Sequence, residues 1–299
     1  MQFEYFAPST LEETLLLLTT CGEEGQVLAG GTDLVLNMRE RTLTPQYVIN
    51  IGRLIDLNYI RYAEDEGIQI GTLTPIRDIE RSPLLRARCS LISQAAGTLA
   101  DPTIRNVATI GGNLCNAAPS ADMAPPLIAL AATVKLVSSA GERVVPLDEF
   151  FTGPGMTVRR ADELLTEIEV PVQPEHSTGV YLKHSARGTA DLAVVGVAVV
   201  LSREPGNGVC RDAKIVLGAV APTPVRARKA ERMLKRKKYD SELVERVART
   251  ASDESSPIDD VRGSAAYRRE MVEFLVIEAI KQITEDFAIS ETIRQVTRE

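Results

Sequence analysis

Residues 101–122 read DPTIRNVATIGGNLCNAAPSAD, and this stretch constrains the fold more than any other. Small residues and turn formers dominate it, so very little of it can be amphipathic helix. Backbone polar groups in such a segment need partners, which water supplies over a surface and a ligand supplies when the chain wraps one. Gly111-Gly112-Asn113 offers closely spaced N–H groups without side-chain obstruction, the composition of an anion nest. Gly30-Gly31-Thr32 repeats the pattern between a strand and a helix, where a helix N-terminus adds its positive dipole end. Either pair of glycines alone is read as readily as a tight turn. Together they suit a dinucleotide with two phosphates. No G-x-G-x-x-G and no Walker motif occurs, which disfavours a Rossmann domain.

The remaining pattern predicts two rhythms. Thr10 and Glu13 form a capping box, Leu11 to Leu18 supply a helical stripe, and Gly22 ends it. Gln26–Ala29 and Tyr47–Ile51 read as strands around a helix at Leu34–Arg41. Strands follow at Leu57–Tyr62 and Ile68–Thr72. Helices are expected with Pro75 at the first helical position, from Pro83 to about Ala100, and at Pro125–Ala132. Thr133–Ser138 and Glu142–Leu147 read as a hairpin, and Leu164–Val170 as a strand stopped by Pro171. The polar stretch Pro171–Thr178 is the linker candidate. Beyond it Val180–His184, Leu192–Leu201 and Ala213–Ala219 predict an antiparallel sheet, followed by helices to the end.

Composition narrows the chemistry. The formal charge of −7 gives no global basic field for nucleic acid or an anionic membrane. Arg226–Lys238 carries eight basic residues against one acid, but Ala227, Ala230, Met233 and Leu234 recur at helical spacing, so the charges read as a solvated face. No apolar run reaches the roughly 20 residues of a bilayer span, and the N-terminus lacks a cationic leader. Cys21, Cys89, Cys115 and Cys210 are scattered, which suits reduced thiols in a cytoplasmic protein and speaks against a zinc or iron–sulfur site. His176 and His184 are too few for a histidine metal centre.

Five segments in order resemble one family. LAGGTDLVLNMRERTLTPQYVINIGRL (28–54), IRNVATIGGNLCNAAPSAD (104–122), FFTGPGMTVRRADELLTEIEVP (150–171), YLKHSAR (181–187) and IDDVRGSAAYRREMV (258–272) are similar to the FAD-binding medium subunit of the molybdenum hydroxylases. This is the xanthine dehydrogenase and carbon monoxide dehydrogenase group. The resemblance implies an α+β chain: a two-part, non-Rossmann α/β FAD-binding domain over 1–174, with subdomains of about 1–56 and 57–174. A C-terminal α+β domain over 175–299, with a three-stranded antiparallel sheet and helices, completes it. It also implies site residues. Val27, Leu28, Ala29, Gly30, Gly31, Thr32, Asp33 and Leu34 match the first pyrophosphate loop, and Thr109, Ile110, Gly111, Gly112 and Asn113 the second. Asp122 matches an acid on the ribityl or ribose side, Leu165 an apolar contact at the adenine end, and Lys183 a lysine reaching toward the flavin. Leu99 falls at a less strictly typed contact.

On the residues alone, Asp33 and Asp122 read equally as helix caps, Leu165 as core and Lys183 as a surface lysine. Val107 stands where many relatives carry an arginine, and the cysteine-bearing insertion for an extra cluster is absent. The resemblance implies no acid–base catalysis by this chain. Its partners would be a large molybdopterin subunit and a small subunit with [2Fe–2S] clusters, and NAD or another molecule would accept the electrons. The alternative is a free-standing FAD-dependent oxidoreductase acting directly on a small substrate. A third reading is a binding module with a degenerate flavin pocket. Asp259–Arg269 is either a partner contact or a tie between the terminal helix and its own domain.

Overall fold

The computed structural model describes residues 2–188, 190–204 and 208–296, so the last three residues of the expected second domain lie outside the described residues. Three β-layers follow one another along the chain. The first holds β1 (Glu4–Phe6), α1 (Leu11–Cys21), β2 (Gly25–Leu28), α2 (Leu34–Glu40) and β3 (Tyr47–Asn50), with parallel strand order β1-β3-β2. Half of the capping box forms: the Thr10 side chain accepts from Glu13 N at 3.1 Å, but the Glu13 carboxylate reaches past Thr10 and accepts from Ser9 N at 2.8 Å. Gly22 takes φ +52° at the helix end. Strand β1 carries only three residues, too few to display an alternation.

The second layer is an antiparallel sheet of order β4-β5-β10-β6-β7. Its elements are β4 (Ile60–Ala63), β5 (Gly67–Gly71), α3 (Ile76–Arg81), α4 (Pro83–Arg88), α5 (Ser90–Thr98), α6 (Pro102–Arg105), α7 (Ile110–Asn116), α8 (Ala124–Ala129), β6 (Thr133–Ser138), β7 (Gly141–Pro146), β8 (Phe151–Gly153), β9 (Met156–Thr157) and β10 (Leu164–Val170). Three local expectations change. Pro75 is the N-cap of α3 and not its first helical residue. The helix expected from Pro83 to Ala100 breaks at Cys89, whose φ of −159° and ψ of 74° interrupt the ladder between α4 and α5. The glycine-rich stretch contains two short helices, each started by its own cap: Asp101 accepts from Thr103 N and Ile104 N, and Thr109 from Gly112 N. Helices of four and seven residues are too short to show an amphipathic period.

The third layer contains β11 (Ser177–His184), β12 (Val195–Arg203), β13 (Cys210–Gly218), β14 (Val225–Arg226), α9 (Arg228–Leu234), α10 (Ser241–Asp253) and α11 (Ala265–Val296). Its sheet has four antiparallel strands and not the three expected, because the two-residue β14 pairs with β13 at Val216 and Leu217. Every residue of β12 is buried. Ala198 and Val200 face the core built on α5 and α8, while Val197, Val199 and Leu201 face the core under α9 and α11. Alternation along one strand thus joins the first 170 residues to the last hundred.

The basic run divides as its spacing predicts. Ala227, Ala230 and Leu234 are buried, whereas Lys235–Lys238 are exposed. Arg226 and Arg228 reach Asp148 in the second layer at 3.7 and 3.0 Å. Among the described residues, no helix is long and apolar enough to cross a membrane.

Candidate functional site

Loops from all three layers converge on a cavity of about 630 Å³, within the usual range for small-molecule sites. Its wall includes Val27, Ala29, Gly30, Gly31, Thr32, Asp33 and Leu34 from the first loop, and Thr109, Gly111, Gly112 and Asn113 from the second. Leu99, Asp122, Leu165 and Lys183 also line it. Two residues of the implied set are not in the wall: Leu28 ends β2, and Ile110 is fully buried in the main core. Thr72, Ala100, Cys115, Arg159, Asp191 and Leu192 line the cavity without a sequence signal of their own. Only the folding of distant segments onto the loops brings them there.

The two glycine loops differ in what they offer. Gly30 lies against the backbone of the second loop, where a Cβ would overlap the Val107 carbonyl oxygen. Gly31 has φ +75°, a conformation that favours glycine. Among the described residues, the N–H groups of Gly30, Gly31, Thr32 and Asp33 have no protein acceptor. This is an open run of donors beside the start of α2. In the second loop the corresponding groups are used internally. Ile110 N donates to Thr74 O at 3.1 Å, Gly111 N to Thr72 O at 3.0 Å, Gly112 N to Thr109 Oγ1 at 3.1 Å and Asn113 N to Thr109 O at 3.0 Å. The Gly111-Gly112-Asn113 segment is therefore not the open nest its composition predicted. Thr72, Thr74 and the α7 cap residue Thr109 take up those donors, and among the described residues the free polar atom here is the buried Asn113 Oδ1, which has no partner. Replacing Thr109 with valine removes the α7 cap and should cost about 1 kcal/mol in urea unfolding. An unchanged midpoint would mean that tertiary packing alone holds this helix start.

The two cap readings are replaced by other roles. Asp33 sits at the N-cap position of α2, but its side chain makes no cap bond; burial pushes its carboxyl up. Asp122 caps nothing. Its Oδ1 accepts from the Tyr181 hydroxyl at 2.9 Å and its Oδ2 from Lys183 Nζ at 2.8 Å. Lys183 also donates to Thr98 O at 2.9 Å, and its side chain is only 3% exposed, so it is no surface lysine. Burial pushes the Asp122 carboxyl up against the pull of the Lys183 ammonium. Nearby, Arg105 binds the carbonyls of Gly97, Leu99 and Ala100 at 2.8–3.0 Å. That clamp shapes the stretch carrying Leu99.

The residues fit an anionic dinucleotide such as FAD: open donors on one loop, an unpartnered buried carboxamide oxygen on the other, and a cradle that a Cβ would fill. The fold and site define a flavoprotein of non-Rossmann type. Residues 1–173 match the FAD binding domain in molybdopterin dehydrogenase, and residues 180–283 the CO dehydrogenase flavoprotein C-terminal domain. The chain belongs to the FAD-binding medium subunits of the molybdenum hydroxylases, a family of oxidoreductases. It is 37% identical to the glyceraldehyde dehydrogenase medium chain of Sulfolobus acidocaldarius, over 94% of this chain and 98% of that one. It is 36% identical to the carbon monoxide dehydrogenase medium chain of Hydrogenophaga pseudoflava, over 93% and 96% of the two chains. A solved structure of carbon monoxide dehydrogenase from that organism superimposes with a TM-score of 0.90, at 36% identity, covering 94% of this chain and 96% of its own.

Proposed function

We propose that this chain is the electron-transfer subunit of a cytoplasmic, multi-subunit molybdenum hydroxylase. Electrons released by substrate oxidation at the molybdopterin centre of a large subunit reach it through [2Fe–2S] clusters of a small subunit. They leave toward NAD or another acceptor. The observation that carries this reading is the open donor run Gly30–Asp33 and the buried Asn113 carboxamide oxygen on the wall of one cavity, in a chain matched along nearly its whole length to flavoprotein domains.

FAD, when bound, supplies the reversible electron chemistry that no side chain in the cavity supplies. The work of the chain is then to bind and orient it. The N–H groups of Gly30–Asp33 hold the diphosphate, and Asn113 receives a donor from the cofactor. Asp122 stands on the ribityl or ribose side, Leu99 adds an apolar contact, Leu165 packs at the adenine end, and Lys183 stands toward the flavin ring. Because Lys183 is paired with Asp122, the ring senses a neutral pair and not a bare ammonium.

The polar segment around Pro171–Thr178 divides the chain into an FAD-binding domain and a C-terminal domain. Arg268 holds the terminal helix inside its own domain, through Ala219 O at 2.9 Å and Asp260 at 2.7 Å. Ile258 and Val261 point outward beside it and are left for a partner.

The test uses the full chain. Reconstituted with FAD, it should bind flavin but show no flavin bleaching with purines, aldehydes or carbon monoxide. Adding the small and large subunits should restore substrate-dependent reduction. Bleaching by a substrate in this chain alone would sink the relay and promote a free-standing oxidoreductase.

A further inference from the structure

Six charged residues line the cavity: Asp33, Asp122, Arg159, Glu163, Lys183 and Asp191. Four of them are neutralised within the chain. Asp122 pairs with Lys183 at 2.8 Å, Glu163 with Arg143 at 2.6 Å, and Asp191 with Arg187 at 3.1 Å. That leaves Asp33 and Arg159 with no oppositely charged partner among the described residues. Among the described residues, Arg159 is thus the one cation lining the cavity whose charge is not already matched by a carboxylate. Val107 contributes none at the second loop.

The side chain is held in place without being used up. Arg159 lies between β9 and β10, and its backbone N donates to Thr157 Oγ1 at 3.3 Å. Nη1 donates to Arg160 O at 2.9 Å and to Glu163 O at 2.8 Å, which accounts for both of its hydrogens. Nε and Nη2 have no acceptor among the described residues. Of the five guanidinium donors, three remain for a ligand, on a group tethered at one edge. Preorganisation of this kind lowers the cost of ordering the side chain on binding.

We propose that Arg159 binds the adenosine half of the dinucleotide, directing its three remaining N–H groups at the nitrogen and oxygen acceptors of adenine and ribose. The assignment rests on the flavoprotein reading above, which puts adenine at Leu165. The Glu163 carbonyl that tethers Arg159 lies two residues before Leu165, and Leu164 and Leu165 line the cavity beside it. Arg159 therefore sets selectivity for FAD over the shorter FMN.

Fluorescence and calorimetric titration of the full chain with FAD, FMN and ADP tests this. Arg159→Leu should weaken FAD and ADP about tenfold and leave FMN unchanged. Where the leucine variant folds poorly, Arg159→Lys keeps the charge but loses the planar donors. It should weaken FAD about threefold, again without touching FMN. Unchanged FAD and ADP affinity, or an equal loss for FMN, would overturn the assignment. A wild-type chain that takes up neither FAD nor ADP would instead overturn the flavoprotein reading, and this assignment with it.

Discussion

Gly30→Ala is expected to weaken FAD uptake strongly. The added Cβ would overlap the Val107 carbonyl oxygen, with the Val107 carbonyl carbon at 2.7 Å and the Ala108 Cα at 3.0 Å. All three are backbone atoms, so no rotamer change relieves the clash and the two loops must separate. Overpacking of this kind costs roughly 1–3 kcal/mol, and here the strain falls on the loop carrying the open donors. Taken from binding, that strain corresponds to an affinity loss of roughly 5- to 150-fold, since each tenfold corresponds to about 1.4 kcal/mol. Gly112→Ala is the internal comparison. Gly112 is exposed and its Cβ would meet only the Thr109 Oγ1, at 2.9 Å. It should fold normally and lose less than about tenfold in affinity. Flavin fluorescence titration with far-UV dichroism as the folding check distinguishes them. Gly30→Ala binding FAD like the wild type would mean that the loops need not touch.

The second large effect concerns the Asp122–Lys183 pair. Lys183 lies on β11 and Asp122 follows α7, so this buried pair ties the third layer to the second. Lys183→Met leaves a buried carboxylate with only the Tyr181 hydroxyl. Removing one member of a buried pair costs about 3–5 kcal/mol, against about 0–1 kcal/mol for an exposed one. Urea unfolding should therefore shift strongly. Adding Asp122→Leu should recover part of the loss, and only part, because Tyr181 then lacks its acceptor. A single-variant loss below about 1 kcal/mol would return Lys183 to the behaviour of a surface lysine.

Tyr181 also illustrates what lies between the two levels of description. In the sequence it is one residue of YLKHSAR; in the fold its hydroxyl bonds Asp122 from the neighbouring layer. The cap readings of Asp33 and Asp122 were sound local chemistry. Asp122 met Tyr181 and Lys183 from β11 in place of the helix that follows it, while the Asp33 carboxylate simply makes no cap bond.

The sequence by itself determined what depends on neighbours a few residues apart. The Thr10 cap of α1, the stop of β10 at Pro171, the hairpin of β6 and β7 and the buried stripe of α9 all follow from local geometry. So does the placing of glycine at Gly30-Gly31 and Gly111-Gly112, the most specific mark of the site. Only the tertiary structure decided which of those loops has donors to spare. Thr72 and Thr74 reach the second loop from nearly 40 residues earlier and occupy two of its N–H groups, while among the described residues no acceptor reaches those of the first. It also decided that Arg159, among the described residues, has no carboxylate partner in the cavity while Glu163, Asp122 and Asp191 are matched. A hydrogen bond or an ion pair between residues far apart in the chain leaves no period and no spacing to read. It exists only once packing of the three layers has brought its two ends together.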